Sequence, residues 1–137
     1  MATLTGVVSM GRRSVDSPEE IYKFDKSKPE LAIFKNGTIG RITLEPEWSW
    51  DQYVKPIVNT NSCEARYTQY MISGRIQVVV GDGSEQEFGP GDTAIILPGY
   101  NTWVIGNETV VDIDFTGLKD YPKEEAHKRM LSKKEEE

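Results

Sequence analysis

Short hydrophobic runs rich in Val, Ile, Tyr and Thr recur between residues 31 and 115, and Gly, Asn, Asp or Pro separates each run from the next. The runs follow one another at intervals of roughly ten residues, the spacing of an all-β sandwich or barrel. We therefore predict strands at residues 31–35, 38–45, 63–72, 75–80, 84–88, 93–97, 102–106 and 109–115.

The turns between these runs have distinctive sequences. Asn36-Gly37 separates "LAIFK" from "TIGRITLE", and both residues tolerate the positive φ angles of a tight hairpin turn. Upstream, Ser17-Pro18-Glu19-Glu20 is compatible with a helix start or with a turn before an edge strand, "IYKFD". Further reversals are predicted at Ser73-Gly74, Gly81-Asp82-Gly83, Gly89-Pro90-Gly91-Asp92, Pro98-Gly99 and Gly106-Asn107.

Alternation along a strand predicts which side chains face the core. In the strand at residues 63–72 the odd positions are the more apolar set and are predicted to point inward: Cys63, Ala65, Tyr67, Gln69 and Met71. The even positions are then outward: Glu64, Arg66, Thr68 and Tyr70. In the last strand the apolar positions 111, 113 and 115 are predicted inward, which places Asp112 and Asp114 in solvent unless the interior is polar there.

Length and charge limit the classes of partner. A chain of 137 residues suffices for one domain with its own core. Its net charge of -6 disfavours a nucleic-acid backbone or an anionic membrane surface as partner, because both attract clustered Lys and Arg. Residues 116–137 contain equal numbers of acidic and basic side chains, so the excess of acid lies before them. Small molecules and other proteins remain as partners.

The sequence also bears on cellular location and on domain boundaries. The start of the chain lacks the basic and apolar regions of a signal peptide, no apolar run is long enough to span a membrane, and the single cysteine cannot form an internal disulfide. These features predict a cytoplasmic protein. We expect a β-barrel domain over residues 1–117, whose first 17 residues are candidates for a flexible segment, and a charged tail or helix over residues 118–137.

Several segments, taken in chain order, resemble the cupin superfamily: "GRITLEPEWSW", "YTQYMISGR", "GDGSEQEFGPGD", "ILPGYNTWVIG" and "VVDIDF". The resemblance spans residues 18 to 117, and its most specific part is the series of turns from Ser73-Gly74 to Pro98-Gly99. It implies a small, single-domain, RmlC-like cupin: an all-β, double-stranded β-helix, or jelly-roll barrel, followed by a short charged helix or tail. It implies no particular activity, because one fold hosts many functions.

The metal-binding residues of the family are missing from this chain. The resemblance places the expected ligands at Thr60, Ser62 and Tyr67 in the first motif, and at Tyr100 or Thr102 in the second. Divalent transition metals are held by imidazole, thiolate or carboxylate groups, and the only histidine, His127, lies in the charged C-terminal region. We therefore predict no bound metal and no cofactor.

Other catalytic arrangements lack residues as well. Serine and cysteine nucleophiles need a histidine within hydrogen-bonding reach, and nothing in the sequence near Cys63 is expected to lower the pKa of its thiol. Cys63 is therefore predicted to be a small buried residue. The glycine-rich turns do not lead into helices, so they are not phosphate-binding loops.

A barrel interior can still provide a site for a small molecule. The resemblance places Tyr67 and Tyr100 at the mouth of the cavity, and Gln69 and Met71 come from the first motif region. The remaining predicted binding residues are Trp50, which is equally compatible with a core or interface position, and Arg41, a candidate cation beside a tyrosine. Glu47, Asp51 and Lys55 are possible partners at the rim, with solvated positions as the alternative. No catalytic residue is assigned.

Three functions remain compatible with these residues. The first is a metal-free cupin-domain protein that binds a small organic molecule in its barrel. The second is a metal-independent cyclase, isomerase or lyase that uses cavity tyrosines to orient and protonate a substrate. The third is a protein-interaction module whose barrel is filled by its own side chains. A homodimer is also expected, with Arg66, Thr68, Tyr70 and the "IYKFD" segment at its interface.

Overall fold

The structure is a computed structural model that describes residues 10–35, 37–63 and 66–115. The strands in this part of the chain are β1 (Glu20–Ile21), β2 (Ser27–Phe34), β3 (Gly37–Leu44), β4 (Tyr67–Ser73), β5 (Arg75–Val80), β6 (Glu85–Phe88), β7 (Thr93–Ile96), β8 (Tyr100–Ile105) and β9 (Val110–Asp114). Two short helices, α1 (Trp50–Tyr53) and α2 (Lys55–Val58), lie between β3 and β4. The predicted all-β fold class is confirmed, and the predicted tail at residues 118–137 lies outside the described residues.

The strands form two antiparallel sheets. The larger sheet has the order β1-β2-β3-β9-β4-β7, and the smaller has the order β6-β5-β8. Strand β9, the last strand in the described part of the chain, therefore lies between β3 and β4. Side chains from both sheets form one core, in which Met71 and Val110 of the larger sheet join Ile76 and Val104 of the smaller. Within the described residues, no helix is long and apolar enough to cross a membrane.

The N-terminal segment follows the edge-strand alternative. Strand β1 pairs with β2, with Glu20 opposite Leu31, and the backbone N–H of Glu19 donates to the carbonyl oxygen of Leu31 at 2.9 Å. The Glu19 carboxylate accepts a hydrogen bond from the backbone N–H of Ile33 at 2.7 Å. The helix alternative is wrong, since the acidic residues pair with β2 rather than cap a helix.

The two helices lie between the predicted strands at residues 38–45 and 63–72, where the sequence pattern predicts no regular element. Ser49 caps α1, because its side chain accepts a hydrogen bond from the backbone N–H of Gln52 at 3.2 Å. Asn59, at a φ of 62°, ends α2 in the left-handed conformation. The segment also delays β4, which begins at Tyr67 instead of residue 63. The helices place Trp50 in the core, with 1% of its surface exposed.

The predicted faces are right for one strand and wrong for another. On β4, Gln69 and Met71 are buried and Tyr70 is exposed, as alternation predicted. On β9 the assignment is reversed: Val110, Asp112 and Asp114 are buried, and Phe115, the next residue, is 47% exposed. The predicted inward set of Val111, Ile113 and Phe115 is therefore wrong.

The register of β9 explains this reversal. Asp112 lies opposite Ile42 on β3 and opposite Met71 on β4. Directly opposite residues of an antiparallel pair project from the same face of the sheet. Since Met71 is fully buried, Asp112 has to point inward as well. Alternation within β9 alone could not show this, because the outward positions of β9, Val111 and Ile113, are apolar as well. The outer face of the larger sheet also carries Tyr70 and Ile95 on other strands.

Gly74 joins β4 to β5 at a φ of +75°, next to β9. A Cβ atom at this position would lie 2.7 Å from the Cα atom of Val110 and 2.8 Å from the carbonyl oxygen of Thr109. Both are backbone atoms that cannot rotate away. Gly83 provides a comparison, since its φ is +91° and a Cβ atom added there would have no other atom within 4 Å.

We predict that Gly74→Ala destabilises the protein more than Gly83→Ala. The strain of a left-handed backbone costs an alanine about 1–2 kcal/mol at either position. The collision with β9 adds about 1–3 kcal/mol at Gly74 alone. Urea unfolding of both variants measures the difference, and equal losses of unfolding free energy would contradict the described packing of this turn.

Candidate functional site

A cavity of about 80 Å³ lies inside the barrel. One water needs roughly 10–15 Å³ on this measure, so there is room for a small organic molecule. The apolar and aromatic residues of its wall are Tyr22, Phe24, Pro29, Leu31, Ile42, Leu44, Trp48, Trp50, Val54, Cys63, Tyr67, Ile76, Ile96 and Tyr100. Its other described wall residues are Ser27, Gln69, Thr102 and Asp112.

Four of the predicted binding residues meet at this cavity. Tyr67 and Gln69 reach it from β4, Tyr100 from the start of β8, and Trp50 from α1. Met71 is on the same face of β4 but does not line the cavity; its sulfur lies 3.4 Å from the side-chain nitrogen of Gln69. Contact between any of these residues and a bound molecule remains a prediction.

Arg41 lies on the opposite side of β3 from the cavity. Its Nε donates to Glu30 and its Nη1 to Asp16, both at 2.9 Å, and the hydrogen bond to Glu30 is the main reason why the pKa of Arg41 is raised. The neighbouring Ile42 lines the cavity, and successive side chains of a strand point to opposite faces. The suggestion that Arg41 is the cation beside a cavity tyrosine is therefore not supported.

Backbone pairing holds Tyr100 in place. The N–H of Cys63 donates to the carbonyl oxygen of Tyr100, and the N–H of Gly99 donates to the carbonyl oxygen of Cys63, both at 2.7 Å. The Tyr100 side chain is 1% exposed, and its ring centroid lies 6.1 Å from that of Tyr67. Farther along β8, the N–H of Val104 donates to the carbonyl oxygen of Trp48 at 2.9 Å. The segment between β3 and β4 is thus attached to β8 at two places, and both tryptophans of that segment line the cavity.

Asp112 is a wall residue that the sequence analysis placed in solvent. Its carboxyl group is buried, with 4% of the residue exposed, and Oδ2 accepts a hydrogen bond from the side-chain nitrogen of Gln69 at 3.3 Å. Within residues 10–35, 37–63 and 66–115, no hydrogen-bond partner is found for its Oδ1 or for Oγ1 of Thr102. No local sequence signal reveals Asp112, because its inward direction follows from its register opposite the buried residue Met71.

Burial changes the protonation of Asp112. Desolvation raises the pKa of its carboxyl group to about 8, with a further contribution from the neighbouring Asp114. Because burial disfavours the charged form, the carboxyl group is mostly neutral at pH 7. A neutral carboxyl group can donate one hydrogen bond as well as accept them.

The metal-ligand positions implied by the family resemblance do not fit a transition metal. They carry hydroxyl and phenol groups, and the hydroxyl of Thr60 donates to the carbonyl oxygen of Ser62 at 2.9 Å. Among the residues that the structure describes, no group of three or more His, Cys, Asp or Glu side chains could hold a metal ion. The absence of a metal remains a prediction.

We predict that Asp112 makes the stability of the protein depend on pH. The pKa of its carboxyl group is about 8 in the folded state against 3.8 for an unperturbed group, so between these values the folded state binds more protons than the unfolded state. The free energy of unfolding should then fall as pH rises from 5 to 8, by at most about 1.4 kcal/mol per pH unit. Urea unfolding at pH 5, 7 and 9 measures this fall, and Asp112→Asn should remove it.

Asp82→Asn is the matched control for this measurement. Asp82 is exposed, and a hydrogen bond from the backbone N–H of Ser84 lowers the pKa of its carboxyl group. Its proton is therefore already lost at pH 5, and the control variant should keep the fall between pH 5 and 8. The same pH dependence in wild type and Asp112→Asn would show that Asp112 is charged in the fold.

Three of the solved structures that resemble this chain align with most of its length. The polyketide cyclase RemF from Streptomyces resistomycificus aligns at 17% identity with a TM-score of 0.55, over 79% of each chain. A protein of unknown function from Rhizobium leguminosarum aligns at 18% identity with a TM-score of 0.56, over 80% of this chain and 97% of that one. An RmlC-like cupin from Shewanella frigidimarina aligns at 16% identity with a TM-score of 0.49, over 74% of this chain and 87% of that one.

Comparisons of sequence add no relative. No family model matches the chain, and no curated protein matches it significantly. At these identities the structural likeness concerns the fold and not the activity. The two-sheet arrangement, together with the two alignments whose TM-scores exceed 0.5, shows the predicted cupin-like fold.

Proposed function

We propose that this protein binds a small, mainly apolar organic molecule inside its barrel. The observation that carries the proposal is a cavity of about 80 Å³ with apolar walls and a buried carboxyl group, that of Asp112, on one side. Small-molecule sites typically combine such walls with a few polar groups that fix the orientation of the ligand.

The wall offers both kinds of contact. Four of the six aromatic side chains of the described wall come from three different parts of the fold: Trp48, Trp50, Tyr67 and Tyr100. They provide a large area for burial of an apolar ligand, at roughly 25 cal/mol for each Å² removed from water. Thr102 and Asp112 add polar atoms that can select among ligands of similar shape.

The cavity also bears on the other two functions. A barrel filled by its own side chains would leave no such space, so the cavity argues against the interaction module. A metal-independent cyclase, isomerase or lyase is a second candidate, favoured by the neutral carboxyl group of Asp112, a proton donor beside the cavity. RemF is a polyketide cyclase, which makes a cyclisation compatible with the fold.

The enzyme hypothesis has its own test. The protein is incubated with a metabolite extract from its source cells, and mass changes are followed by liquid chromatography and mass spectrometry. An enzyme would deplete one compound and form another, and Asp112→Asn, which cannot release an acidic proton, should stop this conversion. An unchanged extract would leave binding as the function.

The homodimer remains a proposal as well. The outer face of the larger sheet exposes Tyr70, and Ile72 and Phe115 are exposed beside it on β4 and after β9. A second copy would cover apolar surface there. Sedimentation at micromolar concentration should show a species of twice the 15.5 kDa chain mass, and a purely monomeric profile would contradict the proposal.

Two adjacent residues of β7 test the binding cavity directly. Ile96 is 5% exposed and lines the cavity, whereas Ile95 is 65% exposed on the opposite face. We predict that Ile96→Phe weakens binding of isopropylbenzene (cumene) at least about tenfold, equivalent to about 1.4 kcal/mol, because the larger side chain occupies the ligand's space. Ile95→Phe should leave the affinity unchanged.

Nuclear magnetic resonance titration provides the measurement. Cumene should shift the indole N–H signals of Trp48 and Trp50, which line the cavity, and leave that of Trp103, which does not, nearly unaffected. Native mass spectrometry of protein from its own source should in addition reveal a retained metabolite. If cumene and comparable aromatic probes shift none of the cavity signals, the proposed function fails.

A further inference from the structure

We propose that the cavity selects an uncharged aromatic molecule with a carbonyl oxygen, which accepts a hydrogen bond from the carboxyl group of Asp112. This inference rests on the proposed binding function and names the chemical class of the ligand. It depends on the polar groups of the wall rather than on the size of the cavity.

The backbone fixes the position of Asp112. It lies in the middle of β9, between Ile42 of β3 and Met71 of β4, so its side chain cannot turn to the outer face without loss of strand pairing. Only 4% of the residue is exposed, and it lines the cavity. The carboxyl group is therefore a fixed part of the wall.

The hydrogen bond from Gln69 determines which oxygen of the Asp112 carboxyl group accepts and which can donate. Its side-chain N–H donates to Oδ2 of Asp112, at 3.3 Å, so Oδ2 acts as an acceptor. Oδ1 is buried and has no hydrogen-bond partner among the described residues. In a neutral carboxyl group the hydroxyl then resides on Oδ1, and that hydroxyl is a donor.

The surroundings favour this neutral form. The titratable side chains of the cavity wall are Tyr22, Cys63, Tyr67 and Tyr100 besides Asp112 itself, and Asp114 is buried on the same face of β9. Strand β3 contributes Ile42 and Leu44 to the wall, and no Lys, Arg or His is among the described wall residues. With an acidic neighbour and no cation at hand, burial raises the pKa of Asp112 to about 8.

Two further buried groups of the wall are hydrogen-bond donors. The indole nitrogens of Trp48 and Trp50 are buried, and neither has a hydrogen-bond partner in the described part of the chain. An indole N–H can only donate. Together with the hydroxyl of Asp112 these groups call for an acceptor, and a carbonyl oxygen is an acceptor without a donor of its own. An anionic ligand is disfavoured because no described wall residue is positively charged.

Three probes of matched shape test the inference, and they differ in one substituent of the carbon next to the phenyl ring. Acetophenone carries a carbonyl oxygen there, cumene a methyl group, and 1-phenylethylamine an ammonium group. At pH 6 acetophenone should bind the wild-type protein at least about threefold more tightly than cumene, the effect of one good hydrogen bond. It should also bind more tightly than the amine. Above pH 9 the preference over cumene should shrink, because Asp112 has then lost its proton.

Two variants assign the preference to Asp112. Asp112→Asn keeps a donor on a neutral side chain, so it should retain the preference for acetophenone at pH 6 and at pH 9.5. Asp112→Leu removes the donor and should bind acetophenone and cumene about equally. If the leucine variant does not fold, the loss of pH dependence in the asparagine variant still provides the test.

The outcomes separate this inference from the function on which it rests. Equal binding of acetophenone and cumene by the wild-type protein at pH 6 would overturn the inference and leave the binding function standing. Tightest binding of 1-phenylethylamine would overturn it too, since Asp112 would then act as an anion. Failure of all three probes to bind would count against the proposed function itself.

Discussion

The pairing of β9 between β3 and β4 is the constraint on which the rest of the structure depends. It joins two parts of the larger sheet, β1-β2-β3 and β4-β7, between which the described residues show no other strand pairing. It also fixes the register that turns Asp112 inward, opposite Ile42 and Met71. The position of the turn at Gly74 depends on the same strand, because Val110 occupies the space that a side chain there would need.

The segment between β3 and β4, which contains α1 and α2, covers the barrel without filling it, and the cavity lies beneath this cover. Trp48 and Cys63, near the two ends of this segment, pair with the backbone of β8. Between them Trp50 contributes its ring to the wall of the cavity. The result is a mainly apolar cavity with one carboxyl group in its wall. Polar contacts within it are strengthened because the surroundings have a low dielectric constant.

Local signals in the sequence were sufficient for the order of strands β2 to β9 and for the inward face of β4, because turn residues and alternation act over a few positions. They misplaced the starts of β2 and β4, each by four residues. The family resemblance, rather than these local signals, placed Tyr67 and Tyr100 at a cavity, and both line it together with Gln69. The inward face of β9 and the outward direction of Arg41 could not be predicted in this way. Both depend on which strands become neighbours, and β9 has apolar residues on both faces. The two helices were missed because four-residue elements carry almost no periodicity.

The central position of β9, the last strand of the described residues, affects the order in which the barrel forms. Strand β9 is separated from β3 by more than half of the described chain, yet the two are direct neighbours. During synthesis β3 and β4 leave the ribosome well before the strand that joins them, so the sheet stays open until residues 110–114 have emerged. Contacts between such distant segments slow folding, because the intervening loop must be closed first. The carboxyl group of the cavity is thus synthesised together with the strand that joins the two parts of the described sheet.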